Sequence, residues 1–222
     1  DMEKISYDIF DNHIRDGEIL GYSPYIEKEI MLSSAHATVS SLFRAIEPNL
    51  EKNVGETHNN IISGDYDDLA RINNSIIIGS GVANKLRVNV GDDVNVYTQF
   101  NHPNNTKMIQ FREKYKVTAI FDVGIYEYNN AYTFINLSNF LNTLVQSNKR
   151  HINVNTIRIK LPDPLKSHIF TSRFNNKSNM YYAQDWSKTH ESLFIAINNE
   201  KRVMFIILML IVAIAAFNIV SS

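Results

Sequence analysis

Residues able to do covalent chemistry are present, but never in a working constellation. Gly79-Ser80-Gly81 follows the apolar run Ile76-Ile77-Ile78, an arrangement in which a phosphate-cradling turn can open a helix. The dinucleotide fingerprint G-x-G-x-x-G needs its third glycine for close packing, and Asn84 stands there instead. No G-x-x-x-x-G-K-[ST] run occurs, so ATP hydrolysis is not expected of this chain. Ser80 is not set in G-x-S-x-G. His13, His36, His58, His102, His151, His168 and His190 are scattered, without H-E-x-x-H. Asp65, Asp67 and Asp68 cluster but lack the glycine and closing glutamate of a calcium loop, so they read as a solvated turn. Cysteine is absent, which excludes disulfides and thiolate metal sites. The expectation is no catalytic residue, no metal and no cofactor.

What remains is the chemistry of contact. In FNHPNNTKMIQFREK, Phe100–Lys114, the side chains of Met108, Ile109 and Phe111 suit an apolar groove. Lys107, Arg112 and Lys114 would form a polar rim around them. Pro103 with Asn104-Asn105 marks a turn, and loops beyond about 12 residues are usually functional or disordered. The second set is Met204, Phe205, Leu208, Met209 and Val212, on one face of an apolar run. Methionine and bulky aliphatic groups adapt to flexible apolar ligands such as acyl chains.

These sets depend on the elements that carry them. Val203–Val220, VMFIILMLIVAIAAFNIV, has Asn218 as its one polar side chain. As a helix it is about 27 Å long, close to the ~30 Å of a bilayer core, so a membrane span is expected. Asp185 is placed to cap a helix before it, and Trp186, Leu193, Phe194 and Ile197 share a stripe. No glycine or proline interrupts Trp186–Ser222, so one continuous helix is expected. Upstream, strands are expected over Ile19–Tyr22, Tyr25–Leu32, Thr38–Ile46, Ile76–Ile78, Val94–Thr98, Tyr115–Phe121, Ala131–Leu137 and Thr156–Leu161. Ser23-Pro24 divides the first two, and Glu47–Asn60 reads as a surface loop. Helices are expected over Met2–Ile14, with Met2, Ile5, Ile9 and Ile14 as its stripe, and over Val82–Leu86. Two more are a helix capped by Ser138 and Leu165–Phe174, with Ile169 and Phe170 inward. Strands with segregated helices indicate an α+β fold. The expected organisation is a domain over 1–184, a helical extension over 185–202 and a span over 203–222. A net charge of -1 in 222 residues offers no global field for nucleic acid. No basic-then-apolar leader opens the chain.

Three blocks occur in order: IIIGSGVANKLRVNVGDDVNVYT (Ile76–Thr98), FDVGIYEYNNAYTFI (Phe121–Ile135) and DWSKTHESLFIAINNEKRVMFIILMLIVAIAAFNIVSS (Asp185–Ser222). Together they resemble the lipoprotein-releasing ABC transporter permeases of the LolC/LolE type. In that family an aromatic-led segment runs into a span ending in FNIVS. The resemblance implies a MacB-like periplasmic core, an inner-membrane location and no catalysis in the chain itself. It further implies a first membrane helix ahead of residue 1, so the chain is expected to be a fragment. Its implied partners are an ABC ATPase subunit, a second permease subunit (homo- or heterodimer), a periplasmic LolA-like carrier, lipoproteins and the membrane, with no nucleic acid. By the same resemblance, Phe100–Lys114 is a carrier-binding hook using Pro103, Lys107, Met108, Ile109, Phe111 and Arg112. Met204, Phe205, Leu208, Met209 and Val212 then border a cavity for lipoprotein acyl chains. The family's hook often carries a proline–aromatic–glycine core, whereas here Asn104-Asn105 follows Pro103. Lys201-Arg202 would by charge alone put the start of the span in the cytoplasm. The resemblance puts it in the periplasm, and three blocks are more specific than two charges. Alternative readings are a MacB- or FtsX-like permease domain for efflux or mechanotransmission, or a membrane-anchored structural domain.

Overall fold

The computed structural model describes residues 7–101, 108–146, 154, 156–177, 181–189 and 191–221. They fall into two units, Asp1–Pro162 and Asp163–Ser222. The boundary expected at 184 therefore lies inside the second unit.

The first unit is built on a sheet whose pairings return on themselves. Its strands are β1 (Gly21–Ser33), β2 (Thr38–Ile46), β3 (Ile61–Gly64), β4 (Ser75–Gly79), β5 (Asp93–Asn101), β6 (Met108–Phe121), β7 (Tyr132–Asn136) and β8 (Thr156–Lys160). The order β2-β7-β4-β6-β5-β1 is closed by the pairing of β1 with β2. Closure removes the open edges that otherwise invite association. β8 pairs with β1 outside this ring, and β3 with the end of β6. Pairings β2–β7 and β4–β6 are parallel and the rest antiparallel, so the sheet is mixed.

Position in this ring explains the strand sequences. β4 is flanked by β6 and β7 and is buried throughout, hence the unbroken Ile76-Ile77-Ile78. β1 and β2 bury alternate side chains, Ile26, Ile30 and Leu32 on one and Ser41, Phe43 and Ala45 on the other. β1 is one strand running through Ser23-Pro24, against the expected break. Pro24 is tolerated because β2 pairing starts only at Tyr25 and β5 pairing at Met31, leaving β8 as its single strand neighbour among the described residues.

The helices of this unit are α1 (Asp8–Arg15), α2 (Pro48–Glu51), α3 (Asp68–Arg71), α4 (Ser80–Leu86), α5 (Tyr126–Ala131) and α6 (Leu137–Gln146). In α1 the buried residue is Phe10, at 2% exposure, while Ile9 and Ile14 are exposed; Met2 and Ile5 lie outside the described residues. Glu47–Asn60 is not a plain surface loop: it holds α2 and a 3-10 turn, with Glu51, Val54 and Thr57 buried. In α6, Leu137, Phe140 and Leu144 enter the core, and the Phe140 ring meets Phe43 and Phe111 edge-on at 5.1 and 5.5 Å. Asn136, rather than Ser138, caps this helix by accepting from the Asn139 amide at 3.0 Å. The Ser138 hydroxyl instead donates to Glu47 at 2.5 Å.

The second unit contains α7 (Ser167–Lys177), α8 (Trp186–Thr189) and α9 (Glu191–Ser221). Ile169 is exposed on α7, and the buried positions are Ser167 and Phe174. Asp185 caps α8, accepting from the Ser187 and Lys188 amides at 2.8 and 3.3 Å. The Trp186 indole N–H donates to the Pro164 carbonyl at 3.0 Å, tying this helix to the segment before α7.

Candidate functional site

Two features correspond to the contact chemistry of the sequence, a long hairpin and an apolar helix. The hairpin is β5 and β6, laddered from Asp93↔Lys116 to Asn101↔Met108. β1 supports β5 only over Asn95–Tyr97, and β4 supports β6 only from Lys116 onward. The four pairs Thr98↔Phe111 to Asn101↔Met108 therefore have no other strand beside them among the described residues. At ~3.4 Å per residue they carry the hairpin roughly 14 Å past its last sheet neighbour. Its root is pinned at three points. The Thr98 hydroxyl donates to the Glu29 carbonyl at 3.0 Å. Arg112 stacks over the ring of Tyr97, its cross-strand partner, at 5.4 Å. Lys114 pairs with Asp93 at 2.8 Å, and its ammonium holds that carboxyl below the usual range.

This geometry redraws the expected hook. Phe100–Lys114 is not one loop, because its two ends are strand, with residues 102–107 between them. Pro103 and Lys107 lie outside the described residues. Met108 and Ile109 are ladder positions opposite Asn101 and Phe100. Arg112 is exposed. Phe111 is corrected outright: it is 2% exposed and packs on Phe140, so it is a core residue and cannot enter a partner's groove. An apolar residue in a strand of mixed sequence looks the same whether it faces the core or a partner.

The apolar helix α9 is a candidate span over Ile195–Ile219, with a mean hydropathy of 2.5. Met204, Phe205, Leu208, Met209 and Val212 are all more than half exposed. So are Ile206, Ile207, Leu210 and Ile211, so exposure around the helix singles out no acyl-binding face. An all-round apolar helix, uncovered among the described residues, suits lipid better than water. Residue 190 lies outside the described residues, so the expectation of one continuous helix from Trp186 rests on α8 and α9, described on either side of it.

A third arrangement went unseen in the sequence. The Ser80 hydroxyl opening α4 donates to Asp122 at the end of β6, at 2.7 Å. Asp122 also accepts from the Gly124 amide at 2.9 Å and from the Asn129 side chain at 2.6 Å. The Ser80 hydroxyl foremost, with those two N–H groups, holds the Asp122 carboxyl below the usual range. Asn129 in turn accepts from the Val123 amide at 3.0 Å. A shallow cleft of about 320 Å³ lies here, lined by Ser80, Asn84, Lys85, Asp122, Tyr126 and Asn130 among others. The two glycines of the suspected nucleotide turn find their explanation in this packing. A Cβ on Gly79 would stand 2.1 Å from the Asn129 carbonyl oxygen, and one on Gly81 2.4 Å from the Asn130 amide. They admit α5 against α4. The sequence blocks Ile76–Thr98 and Phe121–Ile135 thus interlock at this point.

No family model matches the chain. A LolC lipoprotein-releasing system transmembrane protein of Neisseria meningitidis serogroup B is 31% identical over 206 residues, covering 92% of this chain and 49% of that protein. A LolC protein of Xylella fastidiosa is 29% identical over 208 residues, covering 93% and 49%. A LolE protein of Haemophilus influenzae is 23% identical over 207 residues, covering 92% and 48%. The chain thus spans about half the length of the curated relatives it matches. Among solved structures, the extracellular domain of the Gram-positive ABC-type transporter YknZ gives a TM-score of 0.48 at 11% identity, covering 81% of this chain and 88% of that one. The periplasmic region of MacB from Actinobacillus actinomycetemcomitans gives 0.44 at 12%, covering 75% and 69%. Both structural likenesses are loose, and the kinship rests on sequence. Over nearly its whole length, this chain is a homologue of the LolC/LolE lipoprotein-releasing system transmembrane proteins.

Proposed function

We propose that the chain is the extracytoplasmic domain and following membrane span of an ABC transporter permease subunit that releases lipoproteins from the inner membrane. The observation carrying this is the 31% identity to a LolC protein across 92% of the chain. The domain lies in the periplasm, and α9 enters the bilayer from that side. The chain does no chemistry of its own; ATP is hydrolysed in a separate cytoplasmic subunit, and a second permease subunit completes the transporter. Released lipoprotein passes to a periplasmic carrier that docks on the β5–β6 hairpin. The carrier contacts are Met108, Ile109 and the exposed Arg112, together with Pro103 and Lys107 between the two strands in sequence. Met204, Phe205, Leu208, Met209 and Val212 contact acyl chains on their way out.

Site-specific photocrosslinking in the full-length protein tests this, with one probe at Met108 and another at Leu208. The expected result is a carrier adduct at Met108 and a lipoprotein adduct at Leu208. Neither adduct, with both partners present and the protein folded, would reject the lipoprotein-release reading.

A further inference from the structure

We propose that β8 is a releasable strap, a strand that leaves the edge of β1 while the closed ring stays folded, and that the Glu51–Arg158 ion pair is its latch. The inference does not depend on what the transporter carries. β8 stands outside the ring and, among the described residues, pairs only with β1, over five residue pairs from Gly21↔Lys160 to Tyr25↔Thr156. None of its side chains is fully buried. Its loss would leave every pairing of the ring β1-β2-β7-β4-β6-β5 in place. The chain leaves β8 through Pro162 directly into the unit that carries α9. Any displacement of the membrane helix that travels along the chain reaches the first unit at this strand.

The latch has the features of a contact built to open. Arg158 donates to Glu51 at 3.0 Å, and Glu51 is only 3% exposed while Arg158 is 39% exposed. The guanidinium can rehydrate where it stands, whereas the carboxylate cannot. Withdrawing Arg158 strands a buried charge, and that penalty holds the strap closed. The closed state is nevertheless incompletely satisfied. The second Glu51 carboxylate oxygen and the hydroxyl of Ser23, directly opposite Arg158, have no hydrogen-bond partner among the described residues. Orphaned buried polar atoms are rare and offset part of what the ion pair contributes. Lys160–Glu56, at 2.8 Å with Glu56 well exposed, is a weaker second fastening. Where strands of the ring pair along both edges, β8 pairs along one edge among the described residues, fastened by a half-satisfied buried pair and a weaker exposed one.

Hydrogen–deuterium exchange on the full-length protein in lipid nanodiscs tests the strap. In the wild type, residues 156–160 should exchange at least about tenfold faster than β4, the signature of sub-global opening. Arg158→Ala should speed 156–160 a further tenfold or so and leave β4 unchanged. Pro24 and Ile157 are directly opposed, and antiparallel partners stand within disulfide reach. Oxidising a Pro24→Cys/Ile157→Cys variant should therefore slow 156–160 toward the rate of β4, and reduction should reverse it. The double variant Glu51→Leu/Arg158→Leu, which replaces the charges with an apolar pair, should slow 156–160 as well. Equal protection of β8 and β4 in the wild type would overturn the proposal. So would an Arg158→Ala variant that accelerates both strands alike, because β8 would then be part of the cooperative core.

Discussion

Asp122 shows how much one side chain can organise at the close of a strand. It joins the first residue of α4, the turn at Gly124 and the buried Asn129 of α5 through three accepted hydrogen bonds. Its carboxyl is held below the usual range, so the charged form is favoured in the folded state. The stabilisation is then present above the unfolded value of ~3.9 and is lost as pH falls through the lower folded value. An NMR titration should show the Gly124 amide and Asn129 side-chain amide moving together, with a midpoint below ~3.9. A midpoint at or above that value would mean the carboxylate is not gripped as the geometry indicates. The pair Gly79 and Gly81 belongs to the same knot, since the space they leave is filled by Asn129 and Asn130.

At the scale of elements, the hairpin separates two roles that its sequence mixes. Phe111 is buried near the outer end of β6, with the exposed Gln110 beside it. Phe111→Ala should destabilise the first unit by about 3–5 kcal/mol in urea unfolding, through lost contacts with Phe140. Arg112→Glu loses a surface stacking contact and should change stability by no more than about 0.5 kcal/mol. A pull-down with the proposed carrier should nevertheless show weaker binding, because a basic rim position becomes acidic. Normal pull-down by a folded Arg112→Glu protein would remove that residue from the interface. The apolar helix presents the opposite situation. Its residues are exposed on all sides, so lipid, acyl chain or a neighbouring helix would satisfy them equally.

For the whole molecule, the closed ring and its two core clusters lie entirely before Asp163. A fragment ending at Pro162 should therefore remain water-soluble and unfold in one cooperative transition. Circular dichroism and tyrosine fluorescence would follow it, since the single tryptophan, Trp186, is in the second unit. A broad or absent transition would show that the first unit needs α7–α9 for its stability.

The long apolar helix was legible in the sequence because eighteen or so mostly apolar residues exceed what a water-facing helix tolerates, whatever surrounds them. The strands of the ring were legible for a similar local reason, as alternation or a solid apolar run reports whether one face or both are covered. The absence of any nucleotide or protease motif was equally a matter of local spacing. Contacts between distant segments were not readable. Only the fold decided that Phe111 faces Phe140, that Pro24 sits where β1 has a single neighbour, and that Ser80 meets Asp122. Only the fold turned Glu47–Asn60 into the seat of a buried carboxylate, since its partner Arg158 comes from the far end of the domain. Periodicity is a property of neighbours along the chain. Burial of a particular side chain depends on which remote strand closes over it, and that is set by the ring as a whole.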